Sequence, residues 1–162
     1  MDDLIGVRIT VPELLDQNAC SAAISKYLPG IRWKDRREAP SSGYRAIHGI
    51  VRTDGVPLEI QVRTRLQDNW ANLVESLADQ RNDPGLKYGR GSPGAQIVLS
   101  ELSDVQYEVE QNGLRLYMYR KKNENASADD RSRLLAEIQA LDDAISRTRE
   151  KAEIVIGKLK NL

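Results

Sequence analysis

Residues 47–64 read I-H-G-I-V-R-T-D-G-V-P-L-E-I-Q-V-R-T, and this stretch decides the architecture. Asp54-Gly55 is a hairpin pair, because a tight two-residue turn needs positive φ at both central positions, which Gly adopts freely and Asp tolerates. The flanking runs are rich in β-branched residues, so the pattern predicts antiparallel strands over 47–53 and 58–64. In the second strand Leu58, Ile60 and Val62 alternate with Glu59, Gln61 and Arg63. A period of two sends the apolar set to a core and the three polar side chains to the other face, where they line a cleft.

On the N-terminal side, residues 4–10 (LIGVRIT) form a short apolar run expected to be a buried strand. A helix follows: Thr10 can cap it, Pro12 suits its first turn, and Leu15, Ala19, Ala23 and Tyr27, with Leu14, Ile24 and Leu28 alongside, give its stripe. Pro29-Gly30 ends it. Residues 31–43 are basic and broken by Pro40, Ser41, Ser42 and Gly43, which predicts a loop. Beyond the hairpin, Leu66, Trp70, Leu73, Val74 and Leu77 recur at helical spacing over 66–80, a helix with one face for the sheet. Residues 81–95 concentrate Gly and Pro, and a boundary there separates a core of residues 1–95 from a C-terminal helical region, 96–162. That region restarts as a helix with Leu99, Leu102 and Tyr107; residues 114–119 are open between helix and strand, and the turn signal Asn112-Gly113 favours a helix that breaks near Gly113. From 127 to 162 no Pro intervenes. Leu134, Ile138, Leu141, Ile145, Ala152, Val155, Leu159 and Leu162 recur in steps of four and three, with Thr148 the one interruption. So narrow a seam needs a partner, either the 97–119 region or another subunit. The fold class is α/β (α+β): a mixed, partly antiparallel sheet flanked by helices, with a helical C-terminal region.

Composition narrows the function classes. The chain has 162 residues, with 24 Lys+Arg against 24 Asp+Glu, so no nucleic-acid partner is expected. Cys20 is the single cysteine, which allows no internal disulfide and suits a reducing cytoplasm. No apolar run of membrane-spanning length occurs, and Met1-Asp2-Asp3 lacks the basic start of a secretion signal. With one His and one distant Cys, a zinc site is not expected.

Three segments carry candidate chemistry: Asp3 to Arg8 (D-L-I-G-V-R), with an acid at the start of a strand and a Gly and an Arg within it; Ser42 to His48 (S-G-Y-R-A-I-H); and Glu59 to Thr64 (E-I-Q-V-R-T). In this order, and followed by Asn69-Trp70-Ala71, they resemble the synthetase domain of RelA/SpoT family alarmone synthetases. The similarity runs from about residue 3 to residue 75. It implies a nucleotidyltransferase-like fold and the reaction of a GTP pyrophosphokinase, which passes a pyrophosphoryl group from ATP to the 3′-hydroxyl of GTP or GDP. Catalysis would then be positioning and charge neutralisation by Mg²⁺.

The resemblance also implies roles. Asp3 and Glu59 match the metal-binding acids, Glu59 also placed to take the proton of the attacking hydroxyl. Tyr44 matches the aromatic that stacks on guanine and His48 the histidine that contacts phosphate. Ser42, Arg45, Gln61, Arg63 and Arg8 match or adjoin positions shaping the acceptor pocket. Trp70 is read as structural. Two departures stand out. Only Met1 and Asp2 precede Asp3, where the family's cationic ATP-binding segment would lie, and Pro40-Ser41-Ser42 replaces a Lys and an Asn before Gly-Tyr. The resulting expectation is a synthetase-like protein with impaired or no activity on its own, or else a catalytically silent guanine-nucleotide-binding or oligomerising module. Small synthetases of this kind form homotetramers through terminal helices, so a homo-oligomer, leaning to a tetramer, is expected here.

Overall fold

The computed structural model describes residues 5–160. Asp3, expected as a metal-binding acid, therefore lies outside the described residues. Four strands, β1 (Ile5–Val11), β2 (Arg32–Asp35), β3 (Ile47–Thr53) and β4 (Val56–Thr64), form one sheet in the order β1-β4-β3-β2. β1 runs parallel to β4, and the other two pairs are antiparallel. The hairpin forms as expected, with Asp54 at φ 51° and Gly55 at φ 82°. Ile60 and Val62 are buried while Glu59, Gln61 and Arg63 take the opposite face.

The helices are α1 (Leu14–Tyr27), α2 (Arg65–Gln80), α3 (Pro93–Glu124) and α4 (Ala128–Lys160), with a short 3₁₀ turn over Pro84–Tyr88. A capping box starts α2: the Thr64 side chain accepts from the Gln67 backbone and the Gln67 side chain from the Thr64 backbone. The largest buried cluster joins Trp70, Ala71, Val74 and Ala78 of α2 to Leu99 and Leu102 of α3 and to Val155 and Leu159 of α4. No strand residue belongs to it, but α2 also packs on β4 and β1, so it joins the sheet to the helical hairpin.

Four expectations change. Residues 32–35, read as loop, are an edge strand: Trp33 and Ile31 fill the space over Gly49, where an added Cβ would come within 2.6 Å and 2.5 Å of them. β1 is an edge strand too, and Ile5 and Val7 are exposed rather than buried. α1 begins after Glu13, with no side-chain cap from Thr10, and turns Leu14 and Gln17 inward instead of Leu15 and Tyr27. α3 runs unbroken through Gly113, held by α4 along its length. The seam of α4 closes on α3 within the same chain: Leu134, Ile145, Thr148, Val155 and Leu159 are all buried. No helix among the described residues is long and apolar enough to cross a membrane.

Candidate functional site

The polar face of the sheet follows from its registers. Gln61 of β4 lies between Arg8 of β1 and His48 of β3, and residues opposite each other in a ladder share a face. Lys34 of β2 stands opposite His48 and extends the face towards solvent. Tyr44 is brought over it by a tight turn in which Ser41 bridges to Tyr44, with Ser42 at φ 54° and Gly43 at φ 85°.

These side chains form one connected network. His48 Nδ1 lies 2.8 Å from Glu59 Oε1, and its Nε2 lies 3.0 Å from the Tyr44 hydroxyl. An ionised Glu59 can only accept, so Nδ1 carries the proton of that bond. Gln61 Nε2 donates to the other Glu59 oxygen at 3.1 Å. Arg63 is buried; its Nη2 donates to Tyr44 Oη and to Gln61 Oε1, both at 2.9 Å, and its guanidinium carbon lies 5.0 Å from the centre of the Tyr44 ring. One ring face of Tyr44 is thus covered by a cation, and the ring is half-buried.

Burial alone would raise the Glu59 carboxyl. The hydrogen bonds from His48 and Gln61 and the charges of His48 and Arg36 outweigh it, so the carboxyl lies below its ordinary value. Glu59 is therefore an anion at neutral pH, suited to a cation and weak as a base.

Not every expected residue joins the network. Arg8 shares the face and reaches Asp68 at 3.7 Å. Ser42 sits against Gly89, where an added Cβ would meet its hydroxyl at 1.8 Å, and makes no contact with the Tyr44 network. Arg45 points the other way: it is buried, bonds Ser103 at 3.0 Å, the Arg37 carbonyl and Asp104, and lies 4.3 Å over the Tyr107 ring. It clamps the loop to α3. Two contributors escaped the sequence reading. Asp68, in the first turn of α2, pairs with Arg63 at 3.2 Å and links it to Arg8. Arg36 has a buried Nε with no hydrogen-bond partner and acts on Glu59 through its charge. Both lie outside the recognisable motifs, and only the alternation of Lys34 and Arg36 after Arg32 hints at the second.

Comparison with known proteins gives three findings. The family described as a region found in RelA/SpoT proteins matches residues 1–80. Uncharacterized proteins of Mycobacterium tuberculosis and Mycobacterium bovis are 40% identical over 96 residues, which is 56% of this chain and 32% of each relative. The chain thus spans about a third of the length of these curated relatives. Among solved structures, small alarmone synthetase 2 of Bacillus subtilis aligns with a TM-score of 0.58 at 23% identity, covering 70% of this chain and 64% of that one. Small alarmone synthetase 1 of the same organism, bound to its product pppGpp, aligns at 0.53 and 19% identity, covering 75% and 63%. At such identities the likeness is one of fold. Residues 1–80 thus match the region found in RelA/SpoT proteins, and the fold is that of the small alarmone synthetases.

Proposed function

We propose that this RelA/SpoT-type chain binds a guanine nucleotide on the polar sheet face, as the acceptor side of a (p)ppGpp synthetase site. The observation that carries the reading is the Tyr44–His48–Glu59–Gln61–Arg63 network, in which one aromatic ring and one ionised carboxylate are held together on a single face. The base would stack on the part of the Tyr44 ring left uncovered by Arg63 and the Trp70 cluster. Arg8, Lys34 and Arg36 supply cations around the network for the phosphates. Both nitrogens of His48 are already partnered, so its contact with a phosphate requires the Tyr44 hydroxyl to turn away.

Mg²⁺ fits this donor set. Glu59 offers ionised hard oxygens, and although no group of three His, Cys, Asp or Glu gathers among the described residues, Mg²⁺ commonly takes one or two carboxylates with water and phosphate completing its shell. Glu59 would hold it, with Asp3 as second acid, and the ion would offset phosphate charge. The family reaction, pyrophosphoryl transfer from ATP to the 3′-hydroxyl of GTP or GDP, is part of the proposal. The second reading, a guanine-nucleotide-binding module without turnover, is favoured by one observation: a carboxyl held below its ordinary value is a poor proton acceptor. We further propose self-association into a homo-oligomer. Because the α4 seam is used within the chain, copies would meet on outer faces where Ile97, Met118, Leu135 and Ile154 are exposed.

Calorimetry with GTP and GDP in the presence of Mg²⁺ tests the binding. Tyr44→Ala is expected to weaken it by roughly 1–3 kcal/mol. No heat at millimolar nucleotide, or an unchanged affinity in the variant, overturns the reading. Incubation with labelled ATP and GTP, using Glu59→Gln as the control, separates turnover from binding alone.

A further inference from the structure

Away from the polar face, the start of α1, the start of α2 and the middles of α3 and α4 line a partly open cavity of about 230 Å³. Leu14, Leu66, Val109, Leu114, Tyr117 and Ile145 make half of its wall, and no residue of the wall belongs to the Tyr44 network. Two features distinguish it from a packing fault. The first is Gly113, inside a 32-residue helix, where glycine weakens the helix relative to alanine. It has no positive φ, and an added Cβ would meet nothing within 4 Å. Nothing in the backbone asks for glycine at this position, and its effect is to leave space beside the cavity.

The second is Glu110, one turn earlier on α3. Its carboxylate accepts one bond at each oxygen, from the Thr64 hydroxyl and from Gln67 Nε2 at 3.1 Å, which leaves a lone pair on each. Arg45 and Arg37 act on it through space, yet burial dominates and its carboxyl stays above the ordinary value. It is an under-compensated buried acid. Glu13 adds a second acid to the wall against the single cation Arg149. A cationic donor entering here would find apolar side chains on part of the wall and an acid at one side of it.

We propose that this cavity is a binding site for a small primary-amine amphiphile whose ammonium group bonds Glu110. A cavity of about 150 Å³ holds benzene, so the volume here takes an apolar body with an amine of about nine or ten non-hydrogen atoms. Saturation-transfer NMR on the full chain tests this with 2-phenylethylamine, with neutral 2-phenylethanol and anionic phenylacetate for comparison. The amine is expected to bind at millimolar concentration or below, and at least tenfold more tightly than phenylacetate. Gly113→Leu should fill the cavity and abolish the signal, with helical circular dichroism retained. Glu110→Gln, close to isosteric, should weaken the amine at least tenfold and leave the alcohol nearly unchanged; it keeps the test decisive if the leucine variant unfolds. No transfer from the amine to the wild type, equal binding of amine and phenylacetate, or an amine affinity indifferent to Glu110→Gln overturns the proposal.

Discussion

Gly43→Ala is the perturbation that most directly probes how the Tyr44 loop is held to the helices. Gly43 has φ 85°, and a Cβ built on it lies 2.7 Å from Trp70 Cζ2 and 3.2 Å from Ser103 Cβ. Trp70 cannot retreat easily, being buried, with its Nε1 donating to the Leu99 carbonyl at 2.9 Å. The left-handed backbone costs an alanine roughly 1–2 kcal/mol, and forcing a methyl into a packed site costs roughly 1–3 kcal/mol more. The sum, about 2–5 kcal/mol, is a large part of the stability of an ordinary domain, about 5–15 kcal/mol. Gly30→Ala is the internal control: it has φ 88° but nothing within 4 Å of its Cβ, so it carries the backbone cost without the clash. Urea unfolding followed by tryptophan fluorescence measures both. Gly43→Ala should be destabilised by at least about 1 kcal/mol more than Gly30→Ala. Equal losses in the two variants would show that the Trp70 wall yields freely, and the account of how the loop is anchored would fail.

The remaining predictions concern the helical layer. Burial holds the Glu110 carboxyl above its ordinary value of 4.5, so the folded state binds the proton more tightly than the unfolded chain. Its favourable contribution is complete below pH 4.5 and is lost as pH rises through the folded value. Wild type should therefore lose stability relative to Glu110→Gln as urea midpoints are measured from pH 4.5 upward. The opposite-signed contributions of Glu59 and Asp35, both below their ordinary values, are common to the two proteins and cancel in the difference. A difference independent of pH would contradict the assignment. Ile145→Asp places a charge in the buried seam between α3 and α4, costing several kcal/mol if it stays unpaired. Circular dichroism and light scattering should show a destabilised chain, whereas a folded monomer derived from an oligomeric wild type would place the seam between subunits.

How far the sequence could be read depended on whether a residue's partner lies nearby in the chain. The Asp54-Gly55 turn and the alternation of Glu59, Gln61 and Arg63 are local, so the hairpin and its polar face were visible at once. β2 was hidden because its evidence is shared: Trp33 is one bulky residue in a basic stretch, and only beside Gly49, sixteen residues away in the antiparallel register, does it become half of a packed pair. Gln17 was hidden in the same way: a polar residue on α1 carries no local sign of burial, yet its amide donates to the Val62 carbonyl at 2.7 Å and to Gln67 at 2.8 Å, so burial leaves none of its donor capacity unmet.

Arg45 misled by adjacency. It stands next to Tyr44 in a recognisable motif, but the turn at Gly43 aims the two side chains at different layers, the ring at the sheet and the guanidinium at α3. The seam of α4 shows what spacing alone leaves open. Steps of four and three define a stripe that must be covered but are silent about whether the cover is the same chain, and here it is α3. Thr148, the apparent interruption, does not break that stripe. Its hydroxyl donates to the Ala144 carbonyl at 2.8 Å, one turn back on its own helix, so its polarity is satisfied locally and its methyl group can pack in the seam. Hydropathy registers such a residue as polar whatever its hydroxyl does, whereas the hydrogen-bond geometry of the helix makes it compatible with the buried stripe.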